Sequence, residues 1–351
     1  MIDLKSQTLE EMTATLKEMG EPAFRGKQVF TWLHKGVTSF DEMSNLSKPL
    51  REKLKEQCYI TAPSVARKQV SKLDGTVKYL WQLLDGNCIE TVVMQYHHGN
   101  TVCVSSQVGC RMGCAFCAST IAGKVRDLTP SEILDQVIFA QKDSGLPISN
   151  IVLMGIGEPL DNLDNVLKVT QILTADYGYA WSPKRITVSS VSVGLRKKLQ
   201  RFLDESECHV AISMHSPIPE QRAMLMPAER GMSIEEVVEL LRNYDFSHQR
   251  RLSFEYIMFK ELNDTTTHAR EIVKLVKGLD CRFNLIRFHP IPNVDLQGTD
   301  DKHIESFRDY LTNHGVFTTI RASRGQDIFA ACGLLSTAKK IEEERHKHES
   351  E

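Results

Sequence analysis

Two spacings of apolar residues divide the chain. Leu9, Met12, Leu16 and Met19 fall on one face of a helix predicted over residues 8–19, with Thr8 as its cap, and Gly20-Glu21-Pro22 ends it. Val29, Phe30 and Leu33 predict a second helix over residues 25–34, and a third runs from residue 48 to 57. Residues 64–84 then alternate as a hairpin that turns at Asp74-Gly75.

Beyond residue 100 the pattern changes. Short β-branched runs at 102–106, 150–154, 185–191, 209–213, 252–258, 282–286 and 317–320 alternate with amphipathic stretches at 130–142, 163–173, 234–241, 266–276 and 301–313. Strands separated by helices pair in parallel through right-handed crossovers, so the expected fold is an α/β barrel or an open part of one. In such barrels the reactive groups gather at the carboxyl ends of the strands.

Composition narrows the class. With 351 residues, 41% hydrophobic and 25% charged, the chain can bury one large core or a large and a small one. No apolar run reaches the roughly 18 residues needed to span a bilayer, and the start, Met1-Ile2-Asp3-Leu4-Lys5, lacks the apolar stretch of a signal peptide. Nine cysteines suit a reducing, cytoplasmic setting. The formal charge of -2 carries no sign of a nucleic-acid partner. Residues 21–78, however, hold eleven Lys/Arg against six Asp/Glu, a local surplus that fits either a solvated helical surface or an RNA contact.

The strongest chemical signal is Cys110-Arg111-Met112-Gly113-Cys114-Ala115-Phe116-Cys117, directly after the first barrel strand. Thiolates are soft ligands for zinc or iron-sulfur clusters, and a cubane ordinarily takes four cysteines. Three thiols leave one metal position open, which points to chemistry, while a zinc knuckle completed by a distant ligand is the alternative. The spacing resembles the cluster loop of the radical S-adenosylmethionine (SAM) superfamily, which implies a 4Fe-4S cluster on Cys110, Cys114 and Cys117. Later strand ends carry polar groups suited to a ligand with amino-acid, ribose and adenine parts. They are Gly155-Ile156-Gly157-Glu158-Pro159, Ser189-Ser190, Ser213-Met214-His215-Ser216-Pro217 and Asn284.

Taken with Ala330-Ala331-Cys332-Gly333, these motifs resemble the RlmN/Cfr family of radical SAM ribosomal RNA methyltransferases, and the likeness spans nearly the whole chain. It implies a partial (β/α) barrel with a small helical N-terminal RNA-binding domain, divided here as 1–85 and 86–351. It also implies two SAM per turnover, held by Gly157, Glu158, Ser189, Ser213, His215 and Asn284. In this scheme Cys332 takes a methyl group, Glu90 removes a proton from adenine, and Cys103 attacks the sulfur of Cys332 and leaves a disulfide. The expected product is adenine methylated at carbon 2 in 23S ribosomal RNA and some transfer RNAs, with carbon 8, the Cfr reaction, as the alternative. An electron donor of unknown identity is required, no membrane is, and a monomer is expected. Val191-Ser192, Met214 and His289 depart from the family pattern. On local sequence Glu90 reads as a solvated strand carboxylate, and Cys58, Cys88, Cys208 and Cys281 read as structural.

Overall fold

The computed structural model describes residues 1–97, 99–192, 195–247, 250–291 and 294–330. Ten strands form one sheet whose spatial order follows the chain. Ser64–Val70, Val77–Gln82, Cys88–Tyr96 and Gly99–Cys103 pair antiparallel. From Gly99–Cys103 onward the pairing is parallel, through Ile148–Leu153, Ile186–Ser190, His209–Ser213, Leu252–Met258, Arg282–Arg287 and Phe317–Ile320. The edge strands Phe317–Ile320 and Ser64–Val70 do not pair with one another, so the barrel is open, as expected.

All seven predicted barrel strands are present. The first runs from Gly99 to Cys103, earlier than its apolar run suggests, because Val104 makes a last hydrogen bond to Val152 before the chain leaves the ladder. Caps fix the helices between them. Thr129 and Glu132 form a reciprocal capping box at Pro130–Ser144, Ser233 and Glu236 do so at Ile234–Leu241, and Asp300 caps Asp301–Asn313. Two helices, Arg196–Glu205 and Pro219–Leu225, escape the sequence pattern. The first has only Leu199, Phe202 and Leu203 buried in a charged stretch, and the second is seven residues long. Leu252–Met258 is buried at every position, as a strand covered on both faces must be.

The predicted N-terminal helices are Leu9–Glu18, Phe24–His34 and Lys48–Gln57, and Thr8 caps the first. This unit is bolted to the barrel helix Pro130–Ser144. The Lys5 ammonium donates to Asp135 at 2.6 Å and to the Thr61 carbonyl at 2.7 Å, with Lys5 and Asp135 fully buried. The hairpin beyond it turns at Asp74-Gly75 and pairs through Val77–Gln82 with Cys88–Tyr96. The division expected at residue 85 therefore falls between two hydrogen-bonded neighbours of one sheet. No described helix is long and apolar enough to cross a membrane.

Candidate active site

The cysteine loop lies where the barrel strands end. It leaves the strand Gln107–Gly109, which pairs with Lys124–Asp127 and closes the loop at its base. Asp161, just beyond the Gly-Ile-Gly-Glu-Pro turn, accepts hydrogen bonds from Gln107, Arg111 and Lys124 and so ties loop to turn. Burial acts to raise the Asp161 pKa, but those three donors hold it well below the usual carboxylate range. Cys110 and Cys114 are buried and Cys117 is half-buried. Burial pushes the Cys110 thiol up to about 12, and burial together with the neighbouring thiols drives Cys114 well above its ordinary value.

The three cysteines share a cavity of about 140 Å³ with Gly157, Glu158, Ser189, Ser213 and His215. Gly157 has φ +107°, and a Cβ there would lie 2.6 Å from the Gln107 Cβ, so the turn admits only glycine. Glu158 is buried, with Oε1 accepting from the Leu160 amide and Oε2 from the Val191 amide, and burial pushes its pKa up to about 7. The Ser190 hydroxyl also bonds the carboxylate, which leaves it one further acceptor position for a ligand. His215 Nδ1 accepts from the Ile257 amide, so in the neutral ring Nε2 carries the proton. Burial, then the nearby Arg222 charge, lowers the His215 pKa to about 3, so the ring is neutral.

Asn284 is not part of this cavity. It faces the barrel interior one layer lower, in a space of about 350 Å³, where it donates to Glu255 at 2.7 Å and accepts from Thr319 at 2.8 Å. Its position is a matter of tilt. Ser213, Glu255 and Asn284 are register partners on successive strands, and strand tilt carries each row downward across a barrel. Ile286, two residues on, takes the cavity position.

A second, smaller chamber adjoins the first through Met154, Ile286 and Arg321. Cys103 lines it, together with His289, Arg324 and Ala330. Ile328 and Ala330 pack against Val92, Met94 and Cys103, so the end of the described chain covers this side of the sheet. Cys332 lies outside the described residues, two positions beyond Ala330 in the sequence. The solvated reading of Glu90 is incorrect. Its side chain is buried beside Lys78, 2.9 Å away, and Lys78 also donates to the Phe329 carbonyl. The covering segment removes the solvent that local sequence implied.

That segment is held by the hairpin turn. Asp327 accepts from the Ser71 hydroxyl at 2.7 Å and the Lys72 amide at 2.9 Å, while Asp74 accepts from the Gly325 amide at 3.0 Å. Sequence reasoning missed these residues, along with Gln107, Asp161, Glu255 and Arg321. It also missed Arg222, which is buried, pairs with Glu229, and donates to the carbonyls of Val191, Ser213 and Met214. Asp74 shows in the sequence only as part of a turn, and the partners that give the others their roles are far away along the chain, so the sequence does not pair them. Cys58, Cys88, Cys208 and Cys281 are buried, consistent with their structural reading.

The donor set fits an iron-sulfur cluster. Three cysteines of one loop line the same cavity, and three thiolates leave one iron of a cubane without a protein ligand. Burial raises the Cys110 and Cys114 thiols, a cost to ionisation that a bound metal cluster offsets.

Comparisons with known proteins agree with this geometry. Residues 2–60 match the ribosomal RNA large subunit methyltransferase N-terminal domain, and residues 104–276 match the radical SAM superfamily. A protein of Bacteroides fragilis named as a probable dual-specificity RNA methyltransferase RlmN is 57% identical over 345 residues, covering 98% of each chain. One of the same name from Phocaeicola vulgatus is 55% identical, covering 97% of this chain and 96% of that one. The crystal structure of a radical SAM methyltransferase from Sphaerobacter thermophilus, 36% identical, superposes with a TM-score of 0.89 over 95% of this chain and 99% of that one. With such identity along nearly its whole length, the chain belongs to the RlmN family of radical SAM methyltransferases, enzymes that use a 4Fe-4S cluster and SAM.

Proposed function

We propose that this enzyme methylates carbon 2 of adenine in 23S ribosomal RNA and in some transfer RNAs, in the cytoplasm and with an electron donor of unknown identity. The observation that carries the reading is the junction of two chambers, one bearing the three cysteines and the other bearing Cys103 beside the segment that leads to Cys332. Cys110, Cys114 and Cys117 hold the cluster, which supplies the single electron that splits SAM. Gly157 admits the ligand by close backbone approach, Glu158 accepts from its ammonium, and Ser189, Ser213 and neutral His215 meet its polar groups. Asn284 acts from below by orienting Glu255.

Carbon 2 of adenine is electron-poor and does not attack a sulfonium methyl directly, so a protein sulfur carries the carbon. Cys332 takes the methyl group from one SAM, gives up one hydrogen atom of that methyl to the adenosyl fragment of a second SAM, and adds the carbon to adenine. Glu90 takes the ring proton as the adduct loses one electron, and the Cys103 thiolate attacks the Cys332 sulfur, so that the released carbon gains a proton to become methyl and a protein disulfide forms. Lys78 gives Glu90 the charge partner that a buried carboxylate needs. The helices before residue 60 serve as the accessory unit that docks RNA.

The test is mass spectrometry of ribosomal and transfer RNA after incubation with reconstituted enzyme, reductant and SAM carrying a labelled methyl group. Label at carbon 2 of adenine is expected. Label at carbon 8, or in no RNA, overturns the assignment.

A further inference from the structure

At the end of the barrel opposite the cysteine loop, four adjacent parallel strands begin with basic residues. Lys184 precedes Ile186–Ser190, His209 opens His209–Ser213, Arg250 and Arg251 precede Leu252–Met258, and Arg282 opens Arg282–Arg287. All five line one cavity of about 140 Å³, with Asp280 as its single acid. The amino ends of barrel strands ordinarily serve stability, and stability alone would pair these charges. Elsewhere in the chain it does so, as in Arg126 with Glu132, Arg201 with Glu205 and Arg222 with Glu229.

Here the pairing is looser: Glu207 and Asp204 act on Arg250 only at longer range, and Arg282 rests on the Phe317 ring at 5.0 Å. Among the described residues neither Lys184, Arg250, Arg251 nor Arg282 has a carboxylate within ion-pair distance. Arg250 is only 6% exposed, and its Nε has no hydrogen-bond partner. A buried guanidinium with an idle donor costs free energy unless an acceptor arrives from outside. Arg251 and Arg282 also repel one another across the opening. Guanidinium groups present fixed forks of N–H donors that match a tetrahedral oxyanion, and two or three around one small cavity surround it.

We propose that this cavity binds a phosphate group at the amino ends of the barrel strands, on the far side of the barrel interior from the cysteine loop. The group comes either from free phosphate or a nucleotide, or from the backbone of the RNA substrate wrapping behind the barrel. The space encloses one phosphate, and its opening leaves the rest of a larger ligand outside.

The test uses the full chain in phosphate-free buffer, titrated with inorganic phosphate against chloride at matched ionic strength while thermal unfolding is followed. The melting temperature is expected to rise and saturate with phosphate. The Arg251→Gln/Arg282→Gln variant is expected to lose that rise. Both side chains are exposed, so the variant folds, and in the absence of phosphate it melts within a few degrees of the unaltered protein, the lost contact of Arg282 with the Phe317 ring being set against a lost repulsion. A second measurement follows RNA binding against salt for both proteins. A slope of log K on log salt reduced by about two in the variant assigns the phosphate to RNA. An unchanged slope with the phosphate effect lost assigns it to a free ligand. A phosphate effect equal in the two proteins means an adventitious ion only and overturns the proposal, as does the absence of any effect in both measurements.

Discussion

Replacing Lys78 by methionine keeps most of the side chain's bulk and removes its charge. The Glu90 carboxylate then stays buried, 5% exposed, without the ammonium that lies 2.9 Å from it, and the Phe329 carbonyl loses a donor. Removing one partner of a buried ion pair costs about 3–5 kcal/mol, because an uncompensated charge remains in a poor solvent. With an unfolding entropy near 2.1 cal/mol/K per residue, a chain of this length has about 0.7 kcal/mol/K in total, so melting falls by about 4–7 °C. Differential scanning calorimetry of Lys78→Met, Glu90→Gln and the double variant reads this directly. The double variant is expected to recover most of the loss, since neutral glutamine beside methionine strands no charge. If it melts as low as Lys78→Met, the cost lies in packing and the electrostatic account fails. If Lys78→Met melts with the unaltered protein, the pair is not buried in solution. RNA methylation by the double variant separates fold from chemistry, because restored stability without product places Glu90 in the reaction.

Three other expectations follow from the geometry. Gly157→Ala places a Cβ against Gln107 at a φ of +107°, so SAM binding by calorimetry should weaken by at least tenfold while melting of the chain shifts by only a few degrees. His34 is kept neutral, its pKa lowered to about 3 by burial and then by the Lys5 charge. The unfolded chain therefore takes up a proton below about pH 6.5 that the folded chain refuses. Stability is complete above that pH and falls by about 2 kcal/mol on going down to pH 5, a loss that His34→Phe should remove in melting curves. Cys114→Ala should leave anaerobically reconstituted protein without stoichiometric iron and sulfide and without visible absorption, and an iron content equal to that of the unaltered chain would contradict the assigned ligands.

The parts of the site readable before folding are those in which one short segment does the chemistry. Three thiols in one loop state their purpose by spacing, and Gly157 does so because a turn that admits a ligand excludes a side chain. The seven barrel strands are readable because short β-branched runs recur between amphipathic helical stretches, although only Leu252–Met258 is buried at every position. That Asn284 meets the cavity through Glu255 is not legible in the sequence, because strand tilt depends on how far the barrel turns, which no single strand records. Glu90 was given to solvent because alternation along Cys88–Tyr96 cannot show that residues 325–330 lie across its other face. Arg196–Glu205 was missed because its buried face is three residues wide amid charge.

The hydrogen bonds from Ser71 and Lys72 to Asp327 join points 256 and 255 residues apart. The polar ties of the tail therefore depend on the early hairpin, while Ile328 and Ala330 rest on the neighbouring strand. A chain shortened from its amino terminus past that hairpin would keep every cysteine of the cluster loop and hold its final segment by apolar contact alone.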